Sequence, residues 1–405
     1  MAKKAKKTVS FSDIGKIVED SIGKTSIILE DEEHSTPVKY TDTGIYLLNA
    51  LFTTDIFKGI PSNRIIALAG AEGVGKSFLC YNIAREAQRD NGYVIFIDTE
   101  YSIEIEKLKP FGIDTSKDKF KLIRSNVIED IKIWFAKFLK NIKELKQTGA
   151  ELPNITIFLD SAGALASRKE MTDAQEGKEK ADMTRAKVMG SLFRIIMSDL
   201  GYLGIPLIVT NHTYLTTDLF PQEIMKGGKG LYYSASIIVF MSKAKLKTGA
   251  ESTMDMGQSG IVVTAKSKKN RLAKPKQIKF EIDFTKGCNP YKGLEAFCLP
   301  QFFDKVGIAK GKFDKDGNFV PGGNKWAIKH LNKTVWEKQL HTPEIFTEDV
   351  LKALQPIIKD YFSYKDHQEL EEMWNEVKDL EQEYEQELES LGVAADDISD
   401  TDLFE

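Results

Sequence analysis

Residues 65–77 read Ile-Ile-Ala-Leu-Ala-Gly-Ala-Glu-Gly-Val-Gly-Lys-Ser, and this stretch limits the possible folds more than any other in the chain. The apolar run 65–69 predicts a buried strand. Gly70, Gly73 and Gly75 then break it into a loop, and Phe78, Leu79, Ile83 and Ala87 stand at helical spacing over 78–88. The pattern is G-x-x-x-x-G-K-[ST] between a strand and a helix, the context in which such a loop cradles a polyphosphate. Glycine lets backbone N–H groups close on phosphate oxygens, because no Cβ intervenes and positive φ is open to it. Lys76 is placed for the β- and γ-phosphates and Ser77 for Mg²⁺, with the positive end of the helix behind them. Gly70, Ala71, Glu72, Gly73, Val74, Gly75, Lys76, Ser77 and Phe78 are therefore the expected nucleotide-binding residues, and ATP with Mg²⁺ the expected cofactors.

The neighbouring apolar runs extend this into an α/β fold with a mostly parallel central sheet. The run 93–98 (YVIFID) predicts a second strand that delivers Asp98, Thr99 and Glu100 at its carboxyl end, where open α/β sheets place ligands and catalytic groups. Glu100 is expected to orient and deprotonate the attacking water. The run 155–159 ends in Asp160, an apolar strand closed by an acid, and Asp160 is expected to hold Mg²⁺ with Ser77. A fourth strand, 205–211, ends in Asn211-His212. Helices are expected over 131–146 and 187–200. Further strands are expected over 236–241, 260–265 and 279–284, with Ile278, Phe280, Ile282 and Phe284 alternating as if one face were exposed.

Two polar stretches, 167–184 and 213–230, lack apolar periodicity and read as long loops leaving one sheet edge, which suggests a shared surface. The segment 266–276 is basic. The net charge of −4 hides an asymmetry: 366–405 holds 16 acidic residues and one basic one, leaving 55 basic against 44 acidic residues in 1–365, about +11. A basic body with an acidic tail fits a polyanion binder whose tail competes with the polyanion. Cys80, Cys288 and Cys298 have no CxxC spacing and suggest a reducing compartment, and no apolar run reaches the length of a membrane span. The chain divides by composition into an N-terminal element (1–35) with an apolar helical stripe, a core (36–285), a smaller C-terminal module (286–365) and an acidic segment (366–405).

Taken in order, GAEGVGKS, YVIFIDTE, ITIFLDSAGALAS, PLIVTNHT and KGGKGLYYSAS resemble the RecA-type strand-exchange ATPases over roughly residues 40–300, and DMTRAK and SLFRI resemble that family's T-even phage branch. The resemblance implies that Glu100 is the catalytic glutamate and that His212 senses the γ-phosphate and signals to the loop after it. It implies that Lys76 acts on the nucleotide in its own subunit, while Lys269 and Arg271 reach the ATP of a neighbouring one. The two polar stretches match the family's DNA-binding loops, with Arg168, Lys169 and Lys178 from the first, Arg185 just after it, and Tyr214, Phe220, Lys226, Gly227, Gly228 and Lys229 from the second. The N-terminal element resembles a segment that docks on the adjacent protomer. The implied function is that of a recombinase in DNA recombination, repair and recombination-dependent replication. It would form a helical filament with itself on single-stranded DNA and pair that strand with double-stranded DNA. A single-strand-binding protein and a recombination mediator are implied as partners, with no membrane, in the cytoplasm of a cell or phage host. A helicase or repair ATPase on the same core would need a ring-forming linker or a fused module, and none is visible. A non-hydrolysing DNA-binding filament protein could dispense with Glu100. One departure is local: near the position of the family's adenine-stacking aromatic stands Lys107. The module after residue 300 matches poorly, and no role is carried to it.

Overall fold

A computed structural model describes residues 39–177, 184–217, 220–247 and 258–365. The expectations for 1–35, for Lys178 and for 366–405 lie outside the described residues. The chain divides into two compact units: within the described residues, the first comprises 39–271 and 277–293, and the second 272–276 and 294–365.

The first unit is built on a sheet of nine strands. After helix α1 (Tyr46–Thr53) come β1 (Ile65–Gly70), α2 (Lys76–Arg89), β2 (Tyr93–Asp98), β3 (Phe120–Arg124), α3 (Ile128–Gln147) and β4 (Ile155–Asp160). They are followed by α4 (Arg168–Gln175), α5 (Thr184–Leu203) and β5 (Leu207–Asn211). A separate antiparallel pair, β6 (Thr213–Leu215) and β7 (Glu223–Met225), precedes α6 (Lys229–Ser234), and β8 (Ile237–Lys247), β9 (Gln258–Asn270), β10 (Gln277–Asp283) and β11 (Gly287–Cys288) complete the sheet. Its order is β11-β10-β9-β8-β1-β5-β4-β2-β3. The six strands from β8 to β3 run parallel, and β9, β10 and β11 add on antiparallel.

The inner strands are apolar on both faces because helices cover both. On one side Ile131, Phe135 and Leu139 of α3 and Leu192, Phe193, Ile196 and Leu200 of α5 share a core with Ala67, Ile97, Ile157 and Val209 of the sheet. On the other, Tyr81 of α2 packs against Phe96, which stacks on Phe158 with ring centroids 4.5 Å apart.

Several elements differ from their sequence reading. β3 was not foreseen: its FKLIR is short and half charged, and only Phe120 is buried, as suits an edge strand. β9 runs through Asn270, so 266–270 is strand and not a connecting basic segment. There the exposed Lys266 and Lys268 alternate with the buried Ala265 and Ser267. Phe284 falls outside β10 and is exposed, ending the alternation one position early. The first polar stretch contains α4, because Ser167 Oγ accepts from Glu170 N at 3.0 Å while the Glu170 carboxylate accepts from Ser167 N, a capping box strong enough to start a helix without an apolar face. The second contains β6, β7 and the start of α6.

The second unit is a three-stranded antiparallel sheet, β12 (Ile308–Phe313), β13 (Phe319–Ile328) and β14 (Lys333–Trp336), followed by α7 (Glu348–Phe362). Phe303, Ala309 and Ala327 form its core, with Phe313 and Phe319 packed against them. Residues 272–276 belong here because Lys274 N donates to Phe362 O at 2.7 Å. Among the described residues no helix is long and apolar enough to cross a membrane.

Candidate active site

The carboxyl edge of the parallel strands gathers the chemistry. β1 opens into the phosphate loop, and Gly75, at φ 91°, is the last residue before α2. That φ is one L side chains rarely adopt, and a Cβ on Gly70 would lie 2.3 Å from the backbone oxygen of Met241, so both positions favour glycine. Lys76 is buried and its Nζ donates to Gly70 O at 2.9 Å and Ala71 O at 2.8 Å. Burial lowers its pKa, while Asp160 and Glu100 act in the opposite direction. Phe78 packs edge-on against Phe111.

Asp160 ends β4, buried, and accepts hydrogen bonds from Ser77 and from Thr210 Oγ1. Burial pushes its carboxyl up, and those two hydrogen bonds oppose the shift. A hydroxyl and a carboxylate held together beside a phosphate loop are hard oxygen donors of the kind Mg²⁺ takes, one or two from protein and the rest from phosphates and water. No group of three or more His, Cys, Asp or Glu that could hold an ion occurs among the described residues.

Glu100 follows β2, which pairs with β4 so that Asp98 faces Asp160. Its carboxylate accepts from Ser161 Oγ at 2.5 Å and lies 3.4 Å from His212 Nε2. The turn that presents it is held by fully buried Asp98, whose carboxylate accepts from the backbone N–H groups of Glu100, Ser102 and Ile103 at 3.0–3.2 Å. Thr99 locks the two strand ends together: its Oγ1 donates to Ser161 O and accepts from Ser161 N, both at 2.8 Å. Ser161, Thr210 and the capping role of Asp98 were not read from the sequence. Ser161 follows a strand-end acid, Thr210 lies near the end of an apolar run and Asp98 is a strand-end acid itself, and none of these positions marks the role. Lys107 stands on a short helical turn, with its Nζ 3.5 Å from Glu104.

His212 leads directly into the hairpin. Lys226 N donates to His212 O at 2.9 Å, and Asn211 Nδ2 donates to Lys226 O at 2.8 Å, so β6 and β7 hang from the end of β5. Tyr214 is 47% and Phe220 78% exposed, large ring faces free on the hairpin. Lys226 is exposed, Gly227 and Gly228 take positive φ, and Lys229 begins α6.

The first polar stretch is held differently. Arg168 pairs with Asp130 of α3, and Lys169 lies 4.0 Å from Asp173. Arg185 turns inward, donating from Nη2 to Gly163 O at 2.8 Å, in the turn that packs beside His212.

Lys269 and Arg271 are not at this edge. Lys269 pairs with Ile238 and Asn270 with Ile237, and those residues face Ala67 and Ile66, so the two cations lie toward the amino edge of the parallel strands. Lys269 Nζ donates to Tyr232 O and Tyr233 O at 2.8 and 3.2 Å, at the end of α6. Burial lowers its pKa, with Arg271 adding to the shift.

Comparison with known proteins follows the same outline. The RecA N-terminal domain family matches residues 10–289. A recombination and repair protein of Enterobacteria phage T4 is 30% identical over 322 residues, covering 77% of this chain and 78% of that protein. Protein RecA of Mycoplasmopsis pulmonis is 26% identical over 346 residues, covering 84% and 93%. The mitochondrial DNA repair protein recA homolog 3 of Arabidopsis thaliana is 26% identical over 359 residues, covering 87% and 75%.

Proposed function

This chain belongs to the RecA family, and from that premise we propose that it is a recombinase driven by ATP hydrolysis, which assembles head to tail on single-stranded DNA and pairs it with a homologous duplex. The observation that carries the proposal is the contact of Glu100 with His212, because the residue after His212 begins the hairpin. One side chain thus separates the carboxylate facing the nucleotide from a surface with exposed aromatic rings and lysines, the combination that single strands bind by stacking and phosphate neutralisation.

In this reading the N–H groups of the phosphate loop and α2 cradle the triphosphate, and Lys76 Nζ leaves the loop carbonyls for the β- and γ-phosphates. Glu100, oriented by Ser161, accepts the proton of the attacking water. Ser77 and Asp160 would hold Mg²⁺, which would neutralise charge on the β- and γ-phosphate oxygens. His212, bonded on one side to Glu100 and joined on the other to the hairpin, transmits nucleotide occupancy to Tyr214, Phe220, Lys226, Gly227, Gly228 and Lys229. Arg168, Lys169 and Arg185 frame the same surface from α4 and α5.

Lys269 and Arg271 cannot reach the phosphate loop of their own subunit. Lys269 lies three strand residues below the level of Gly70 and two strands away, about 10 Å in each direction. They act on the nucleotide of the next subunit, where they neutralise charge developing on the γ-phosphoryl group. Nucleotide at that junction would hold two subunits together, and its hydrolysis would release them. A single-strand-binding protein, a mediator and a host cytoplasm complete the proposal.

Electron microscopy with ATP and single-stranded DNA tests it. A helical filament is expected; closed rings would favour a helicase-like ATPase, and unassembled protein would overturn the recombinase reading.

A further inference from the structure

β8 outruns β1 at the carboxyl edge of the sheet. Met241 pairs with Gly70, the last residue of β1, and β8 continues through Lys247 beyond that level. Ile238 and Phe240 lie in the core shared with α3 and α5, so Met241 and Lys243, on the alternate face of the strand, point to the side that carries α2. There the exposed Lys243 side chain leans over the phosphate loop. Its Nζ donates to Glu72 O at 3.4 Å, and a Cβ on Gly73 would lie 2.7 Å from that nitrogen. Lys76 Nζ rests on Gly70 O and Ala71 O, so two ammonium groups hang on three consecutive carbonyls of one loop, within roughly 10 Å of each other.

Charge gives this placement a purpose. Asp160, Glu100 and Glu72 stand close enough to Lys76 to act on it. A triphosphate bound in the loop adds further negative charge, which one divalent ion and one ammonium offset only in part. Lys243 is not engaged with a carboxylate: among the described residues its polar contact is a neutral carbonyl, at a distance long for a hydrogen bond. Such a contact contributes little and is readily exchanged for a charge-assisted one to a phosphate oxygen.

We propose that Lys243 is a second cation of the phosphate loop, and that its Nζ passes from Glu72 O to the terminal phosphate oxygens of the ATP held in the same subunit. The proposal rests on the reading of residues 70–78 as the nucleotide site. It gives the two lysines different duties. Lys76 is buried and meets the β- and γ-phosphates from within the loop. Lys243 comes from the solvent side, over the tip formed by Glu72 and Gly73. The loop's N–H groups cradle the inner phosphates, which leaves oxygens of the terminal one open to a cation arriving that way. This contact exists for ATP and not for ADP, so Lys243 makes the loop distinguish the two.

The test measures affinity for the slowly hydrolysed β,γ-imido analogue of ATP and for ADP, each with Mg²⁺ and without DNA, by titration calorimetry. Lys243→Ala is expected to weaken binding of the analogue about tenfold and of ADP by less than about twofold. Lys243→Arg, which keeps a cation of similar reach, should stay within about threefold of wild type for both. Equal weakening of both ligands by Lys243→Ala would make Lys243 a brace of the loop and overturn the proposal. Unchanged affinity for both would overturn it too, and a loss of single-stranded DNA affinity measured without nucleotide would then assign the lysine to DNA instead. Lys76→Ala runs beside these variants. If it loses analogue affinity while Lys243→Ala keeps it, the proposal falls and the nucleotide site stands. If neither substitution changes that affinity, residues 70–78 are not the nucleotide site and both readings fall. Binding of ADP checks that each variant's loop is folded. Lys243→Gln replaces the alanine variant if ADP binding is lost, and loss in both variants would make Lys243 a structural residue and overturn the proposal.

Discussion

The two polar stretches look alike in sequence and are held in different ways. The described residues of the first, 167–177, are anchored by their own charges: a capping box starts α4, Arg168 pairs with Asp130, and Lys169 stands near Asp173. Residues 213–230 are anchored by backbone, through Lys226 N to His212 O and Asn211 Nδ2 to Lys226 O, at the end of a core strand that also carries Thr210 against Asp160. Neither of the first stretch's side-chain pairs touches the nucleotide site, whereas the root of the second stretch is two residues from the Thr210 hydroxyl bonded to Asp160. What separates them is wiring and not composition: both are polar, but only the second follows directly on a strand of the site, with His212 alone between them. Nucleotide occupancy is therefore expected to reach the hairpin and largely bypass α4.

The largest effect should come from removing the input to both. Lys76→Ala takes away the cation that reaches the β- and γ-phosphates, and hydrolysis should fall by about a thousandfold or more, measured as phosphate released with single-stranded DNA. A rate near wild type would detach the phosphate loop from the chemistry. Glu100→Gln should slow hydrolysis by about 10²–10³-fold while ATP binding persists, because the amide keeps the shape and loses the base. Filaments formed with ATP should then outlive wild-type ones. Hydrolysis at the wild-type rate would make Glu100 a mere strand-end carboxylate.

Most of this frame was legible in the sequence, and the exceptions have physical causes. Residues 65–77 gave strand, loop and helix because the glycines are forced and the flanks are apolar. β2, β4 and β5 were legible because strands buried on both faces are continuous apolar runs. β3 escaped notice because an edge strand carries mixed residues, and α4 because a helix started by side-chain caps on a polar surface has no apolar period to detect. The acids Asp98, Glu100 and Asp160 could be placed at strand ends, but Ser161 and Thr210 gained their roles only when β2, β4 and β5 came together. For the same reason Lys269 and Arg271 read as one basic segment with Lys266, until the pairing with β8 put them at the far edge.

His212→Ala tests the wiring directly. ATP-dependent tightening of DNA binding, a coupling of about 1–3 kcal/mol in systems of this kind, should vanish in the variant, while binding without nucleotide changes little. Titrations of labelled single-stranded DNA with and without ATP decide it; an undiminished ATP effect would leave His212 structural and break the contrast between the stretches. Phe220→Ala should cost about 1 kcal/mol of single-strand affinity through lost stacking, in the presence of ATP above all. Equal losses with and without ATP would mean that the hairpin binds DNA but does not answer to nucleotide.

The smallest effect should separate the cations of the two stretches. Arg168 must give up Asp130 before it can serve a phosphate, and both partners of that ion pair are largely solvent-exposed. Such pairs contribute about 0–1 kcal/mol, so exchanging one carboxylate for one phosphate gains little. Lys226 has no carboxylate at ion-pair distance among the described residues, and its N–H is fixed to His212 O. Each phosphate contact adds about one unit to the slope of log affinity against log salt, somewhat less on single strands. Lys226→Ala should therefore flatten that slope by nearly one unit, whereas Arg168→Ala should leave it within a few tenths of wild type, because a guanidinium kept by Asp130 makes no phosphate contact to lose. Each slope is read from DNA titrations at four or five salt concentrations with ATP present. If Arg168→Ala flattens the slope as much as Lys226→Ala does, α4 gives up its ion pair on binding, and the two stretches grip DNA alike however differently they are anchored.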